Sequence, residues 1–314
     1  MKRFFAWCLC LLTITPLLHA QDFLDLSYNF KAGQQYQLTQ KSRTESYLTV
    51  QDILQRSTRD FQDVLQIDIT EAIPGKATLT MHYTELKFTF NARNQNITVD
   101  AKIDNEKEPF QAAIKNLLNH PFSVELQSFG LVKSITGLDE MVDSATTAAF
   151  GSLKAEEKDA YTRLIKEQFG AKAFQAWLEQ LLVIYPAHGI KTGTQWTESL
   201  PLRSTLKGDL NFYWNLQTWD NETAKIGGTG KINTDKLEDI QLEDGYTASA
   251  AITGNLQSDY LITLSSGLPA IAVQNTELNG NYTYRANKSK GLKKDLQVPV
   301  KIITNASYKI KQMK

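Results

Sequence analysis

Three of the four histidines (His19 falls in the leader-like first residues), two pairs of adjacent acids, a glycine-rich run and a lysine-rich tail are the features of this chain whose types and spacing could do chemistry. His82, His120 and His188 fall in no metal-ligand spacing such as H-E-x-x-H, which sets two imidazoles on one helix face. His82 lies among threonines at the polar positions of an alternating segment, and His120 precedes Pro121, so solvated or capping roles are expected for them. The run Ile226-Gly227-Gly228-Thr229-Gly230-Lys231 has the composition of a phosphate loop. It lacks the glycine five residues before Gly230, and Ile232 stands where a Ser or Thr must hold magnesium, so a flexible or bulged strand is expected. No G-x-S-x-G run exists to expose a nucleophilic serine. Glu238-Asp239 and Glu243-Asp244 are neighbours in sequence, and neighbours on a strand point to opposite faces, whereas glycoside cleavage needs two carboxylates facing one bond. A solvated acidic loop is expected there, with calcium binding the lesser alternative. These patterns predict no catalytic residue, no metal and no cofactor, hence no enzyme.

Two features point instead to binding. Phe174, Trp177, Leu178, Leu181, Leu182 and Tyr185 recur at the spacing of one helix face, which predicts an amphipathic helix stopped by Pro186. Packed on a sheet this face is ordinary core, and over a half-closed sheet it lids an apolar ligand. Under the second reading Phe174, Trp177, Leu181 and Tyr185 are the ligand-binding candidates. Between Lys288 and Lys314 stand eight lysines and one acid, Asp295. They suit an anionic surface such as lipid headgroups. Their alternation with Val298, Val300, Ile302, Ala306, Tyr308 and Ile310, together with Pro299, first predicts a protected edge strand.

The elements that must position these groups are mostly strands. Ala77, Leu79, Met81 and Tyr83 alternate with polar residues, and after Tyr83 the apolar phase moves to Leu86, Phe88 and Phe90, which predicts a β-bulge at Thr84-Glu85. Phe61, Leu65, Ile67 and Ile69 form another strand, joined to it by a turn at Ile73-Pro74-Gly75-Lys76. Phe122, Val124 and Leu126 run through Ser128-Phe129-Gly130 to Val132 and Ile135, a hairpin with Gly130 at positive φ. Leu210, Phe212, Trp214 and Leu216 alternate again, and Ala248, Ala250, Ile252 and Leu256 make a face of small residues. Helices are expected from Leu153 to Phe169, broken at Gly170, and over Ala112 to Leu118.

Met1-Lys2-Arg3, the apolar run Phe4 to Leu18 and the small residue of Leu18-His19-Ala20 read as a secretory leader, residues 1–20, too short for a bilayer span. Cys8 and Cys10 fall inside it, leaving no disulfide to hold the exported chain and no lipidation site at the cut. Without Lys2 and Arg3 the 34 basic residues become 32 against 34 acids, which leaves no general basic footprint for nucleic acid. The chain divides into an N-terminal β half (21–137), a helical segment (138–186) and a C-terminal β half (187–314), within one continuous domain or as two coupled halves. Phe30-Lys31-Ala32-Gly33-Gln34-Gln35-Tyr36 resembles Ile190-Lys191-Thr192-Gly193-Thr194-Gln195-Trp196, each before a strand. The expected fold class is mainly β (α+β), with large antiparallel curved sheets of long strands in two halves and a central helical insertion.

The segment Phe30 to Tyr36, the hairpin Phe129-Gly130-Leu131-Val132 running to Gly137, Gly193-Thr194-Gln195-Trp196, and Tyr260-Leu261-Ile262-Thr263 followed by Ser266-Gly267-Leu268-Pro269 occur in that order. In this the chain resembles an exported, β-rich family of Bacteroidota-type bacteria catalogued only as a domain of unknown function. The resemblance implies export to the envelope of a Gram-negative cell and β architecture, and brings no catalytic residues. The expectation is therefore a non-catalytic binding or carrier module of the periplasm or outer surface. Its expected partner is an apolar or lipid-like ligand, with a structural or protein-interaction component of the envelope as the alternative.

Overall fold

A computed structural model describes residues 23–93, 95–104, 108–202, 208–234, 239–241 and 246–313. The leader and the acids Glu238, Glu243 and Asp244 lie outside the described residues. Strands β1 (Gln35–Val50), β2 (Ile53–Ile73), β3 (Lys76–Ala92) and β4 (Gln95–Asp100) open the fold. They are followed by α1 (Pro109–Lys115), β5 (Phe122–Gln127) and β6 (Val132–Thr136). Three helices come next, α2 (Leu138–Ala149), α3 (Ala155–Phe169) and α4 (Ala171–Leu181). The chain returns to strand with β7 (Gln195–Pro201), β8 (Gly208–Trp219), β9 (Thr223–Thr234), β10 (Ile240–Gln241), β11 (Thr247–Thr263), β12 (Pro269–Tyr284) and β13 (Leu296–Gln312).

Among the described residues these form one antiparallel sheet in the order β6-β5-β3-β2-β1-β13-β12-β11-β9-β8-β7, with β4 beside β3 and β10 beside β11. Each half is a meander of neighbouring strands, and the first and last strands join the two halves, β1 pairing with β13 from Tyr36↔Gln312 to Leu48↔Val300. β13 is therefore central, which corrects the expected edge. Both its sides are paired, to β1 and β12. Its lysines alternate with the buried face and so stand on the opposite side of the sheet. Pro299, which has no N–H to give, lies one residue beyond the last β1 pair, where only β12 continues.

The bulge expected at Thr84-Glu85 is present. Val64 pairs with Glu85 and Leu65 with Tyr83, leaving Thr84 as the extra residue, its Oγ1 donating to Val64 O at 3.2 Å. The turns at Pro74-Gly75 and at Gly130 are also found, with φ of 87° and 108°. At Gly130 a Cβ would meet Val183 O at 2.6 Å. The glycine-rich run lies within β9, where the ring of Trp214 covers Gly228 at a distance no side chain could share. The two similar heptads share one construction. Gly33 and Gly193 have φ of 87° and 85°, and the N–H of each donates across to the neighbouring strand, to Ile69 O and Leu216 O. The short helix expected at Ala112–Leu118 spans Pro109–Lys115, starting at the proline.

One face of the sheet carries the helices and the main core, which includes Leu65, Ile67, Met81, Phe174, Leu181, Trp214 and Tyr260. The helix expected to reach Tyr185 stops at Leu181, ahead of Pro186. Residues 182–185 are extended because side chains from three directions take their backbone groups. The Tyr28 hydroxyl bridges Val183 N and O, Trp196 Nε1 donates to Ile184 O, and Ile184 N donates to Glu198 Oε2. Buried backbone groups must be paired, and these partners are available only to an extended segment. No helix among the described residues is long and apolar enough to cross a membrane.

Candidate functional site

α4 ends above the middle of the sheet, and the sheet supplies its missing caps. The carbonyl of Gln180, in the last turn, accepts from Tyr260 Oη at 3.0 Å and Gln274 Nε2 at 2.7 Å, and Gln274 Nε2 also lies 2.7 Å from Tyr260 Oη. The last carbonyls of a helix have no partner within it, so these contacts fix where the helical layer stops. Along that line the core face turns polar. Asp63 pairs in register with Gln40, and Gln40 with Tyr308, while Gln274 pairs with Ser258 two strands further on. All five side chains are buried.

This polar belt is incompletely satisfied. Asp63 Oδ1 and Ser258 Oγ are buried without a hydrogen-bond partner among the described residues, and Trp177 Nε1 has only the Tyr308 hydroxyl near it. An unpaired buried polar atom costs about 1–3 kcal/mol, so each is a place where a bound polar group would be stabilised. Burial pushes the Asp63 carboxyl well above the usual carboxylate range, opposed in part by a backbone hydrogen bond from Gln40. Tyr308 is likewise raised by burial, with the Asp63 carboxyl adding to the rise and the nearby Trp177 N–H opposing it. A protonated Asp63 can donate as well as accept.

Beyond the belt the same face continues, among the described residues, without α-helices. Thr44 and Thr304 meet through their hydroxyls at 3.1 Å. Past them lies a second apolar cluster, separate from the main core: Ala250, Ile252 and Val300 are buried, and Leu48, Leu278, Tyr282 and Ile302 stand half-buried around them. The face thus reads helix-covered core, polar belt, and a second apolar trough that no α-helix among the described residues covers.

The four sequence-predicted ligand residues sit at or above the belt. Phe174 packs edge-on to Phe122 at 4.9 Å, and Leu181 is fully buried. Tyr185, beyond the helix, donates to Gly267 O at 2.7 Å and lies against Tyr28. Trp177 alone is half-buried, between Phe174 and Tyr308. Phe174, Leu178 and Leu181 are buried in the main core beneath the helix. Two shallow cavities lie elsewhere. One of about 480 Å³ is on the opposite face, where Arg43 already pairs with Asp60, and one of about 300 Å³ is beside the Pro74-Gly75 turn. Among the described residues no three of His, Cys, Asp and Glu lie together as a metal cluster. Asp239 ion-pairs with Arg285.

The belt has a signal in the sequence. Asp63 is in phase with Phe61, Leu65 and Ile67, Gln40 with Tyr36 and Leu38, Ser258 with Leu256 and Tyr260. Polar residues at core-phase positions mark a buried polar line. A second polar centre joins β7 to this layer: Glu198, buried, accepts from Trp214 Nε1 at 2.9 Å with its Oε1 unpaired. Burial raises its pKa to about 7, the Trp214 and Ile184 hydrogen bonds oppose the rise, and the Glu179 carboxylate adds to it.

A family model described as a family of unknown function, DUF6263, matches residues 74–269. No curated protein matches the chain in sequence. The solved structures it is similar to include lipovitellin, in a study of lipid–protein interactions (12% identity, TM-score 0.49, 90% of this chain and 25% of that one). They also include the outer membrane protein OprG from Pseudomonas aeruginosa (5% identity, TM-score 0.21, 90% and 98%). The chain spans about a quarter of the lipovitellin chain's length. At these scores neither likeness bears on function.

Proposed function

The chain belongs to DUF6263, a family of unknown function, and from that premise we propose that it is an exported, non-catalytic module of the cell envelope that binds an amphipathic, lipid-like ligand. The observation that carries the reading is the split core face. Helices cover one part of it, while the other part offers half-buried Leu48, Leu278, Tyr282 and Ile302, with the Thr44–Thr304 pair and then the polar belt following along the strands. An acyl chain laid along β12 and β13 would cover the apolar cluster, and its polar end would reach Thr44, Thr304, Asp63 and Trp177. Contiguous apolar surface rimmed by polar groups is a common mark of a ligand or partner site. The site differs from the one the helix face suggested: of Phe174, Trp177, Leu181 and Tyr185, only Trp177 reaches the belt, through Tyr308, and none touches the trough. Export rests on the leader-like residues 1–20.

The test is uptake of a fluorescent fatty acid or phospholipid by delipidated protein, with native mass spectrometry for copurified lipid. Saturable uptake that Ile302→Asp abolishes supports the reading, and no uptake with no copurified lipid overturns it. A structural role in the envelope, docking a partner protein, remains the second reading. It is favoured by the burial of the α4 face, Phe174, Leu178 and Leu181, in ordinary core, and a reproducible crosslinked protein partner in intact cells would support it.

A further inference from the structure

The trough ends where the β1–β2 turn and the β12–β13 connection leave the sheet. β1 runs two residues past the Leu48↔Val300 pair before its turn at Gln51-Asp52, both at positive φ. β13 begins four residues before Val300, so the β12–β13 connection, residues 285–295, leaves the sheet at the same end. At about 3.3 Å per residue, both project roughly 7–13 Å past that pair, on adjacent strands. The first presents Ile53 and Leu54, 54% and 64% exposed. The second presents Lys288, Lys293 and Lys294, all exposed.

The connection is built rather than loose. Asn287 and Leu292 exchange backbone hydrogen bonds, and Lys290 lies over the Tyr246 ring at 5.1 Å while Tyr246 Oη donates to Lys290 O. Its only acid, Asp295, is taken by Arg285, which also holds Asp239. Lys288, Lys293 and Lys294 make no ion pair with the described residues. Tyrosines 246 and 284 pack edge-on behind them.

Exposed aliphatic side chains at a turn, lysines beside them and tyrosines one layer in are the composition of a protein surface that meets a bilayer. We propose that this end of the sheet docks on a lipid bilayer bearing anionic headgroups, Ile53 and Leu54 entering the interface and the three lysines lying over the headgroups. The docked end is the open end of the trough, though the inference goes beyond ligand binding and holds without it.

The test is co-sedimentation of the full chain with vesicles of phosphatidylcholine alone and of phosphatidylcholine mixed with phosphatidylglycerol, at low salt. Wild type is expected to bind the mixed vesicles and to lose binding as salt rises. Each lysine near an anionic surface contributes about 1 kcal/mol, so Lys288→Gln/Lys293→Gln/Lys294→Gln should weaken binding on the order of a hundredfold. Ile53→Asn/Leu54→Asn should weaken binding to both kinds of vesicle. All five sites are exposed, Ile53 and Leu54 as the first two residues of β2 and the lysines in the β12–β13 connection, and circular dichroism checks that the variants stay folded. Equal binding of wild type to neutral and mixed vesicles, or wild-type binding by either variant, overturns the proposal. Ile302→Asp separates the two ideas, since it should abolish lipid uptake and leave vesicle docking unchanged.

Discussion

The Tyr28 hydroxyl donates to Val183 O at 3.1 Å and accepts from Val183 N at 3.0 Å, so one side chain satisfies both backbone groups of a buried residue 155 positions away. It ties the segment before β1 to the extended stretch after α4, and the Tyr28 ring also rests on Tyr185. Tyr28→Phe keeps the ring and strands both backbone groups. Each buried group left unsatisfied costs about 1–3 kcal/mol, so a drop in melting temperature of several degrees is expected by scanning calorimetry. An unchanged midpoint would show that the latch contributes nothing.

Glu198 should make stability depend on pH near neutrality. Its folded pKa, about 7, lies above the ordinary 4.5 because burial disfavours the charge. A raised carboxyl contributes stability fully below about 4.5 and loses it as pH rises through 7. The loss is on the order of 3 kcal/mol once the group is forced to ionise in place. Asp63, shifted in the same direction by burial, adds to the same trend. Glu198→Gln should therefore be more stable than wild type at pH 8 and similar at pH 5, read from urea midpoints at both. A wild type that gains stability between pH 5 and pH 8 would contradict this.

The Thr84 bulge gives a test of register. Deleting Thr84 removes the extra residue and leaves Tyr83, Leu86 and Phe88 on the face they already occupy. Deleting Thr80 instead turns every residue from Lys76 to Leu79 over relative to those that follow, placing Leu79 and Ala77 in solvent. The first deletion should fold with a modest loss, and the second should fail to give a cooperative melt. Equal behaviour of the two would mean the pairing slips freely.

If the trough holds an acyl chain, its floor and not the outer face sets affinity. Leu278→Asp puts a charge among Ile302, Val300 and Tyr282 and should weaken fluorescent fatty-acid binding tenfold or more, about 1.4 kcal/mol per factor of ten. Ile271→Asp, on the opposite face and already 47% exposed, should leave it unchanged. Competition titrations on the two variants give the comparison, and equal affinities would place the ligand elsewhere.

Local chemistry decided much of this fold before any tertiary contact. The period-two pattern, the phase change at Thr84, the glycines of the turns and the break at Gly170 follow from backbone sterics and side-chain alternation within a few residues. They could be read from the chain alone, as could the likeness of its two strand starts. Which strands became neighbours could not. Pro299 and the lysines of the last strand suggest an edge, yet β1 and β13 pair across the whole length of the chain, and a pairing between distant residues leaves no mark on either one. The helix face through Tyr185 was broken in the same way, because partners at Tyr28, Trp196 and Glu198 reached the backbone of residues 182–185 only after the chain had folded. The polar belt lies between these cases. Asp63, Gln40 and Ser258 carried the core phase in the sequence, but only the end of α4 above them determined that they mark where the helix-covered core stops.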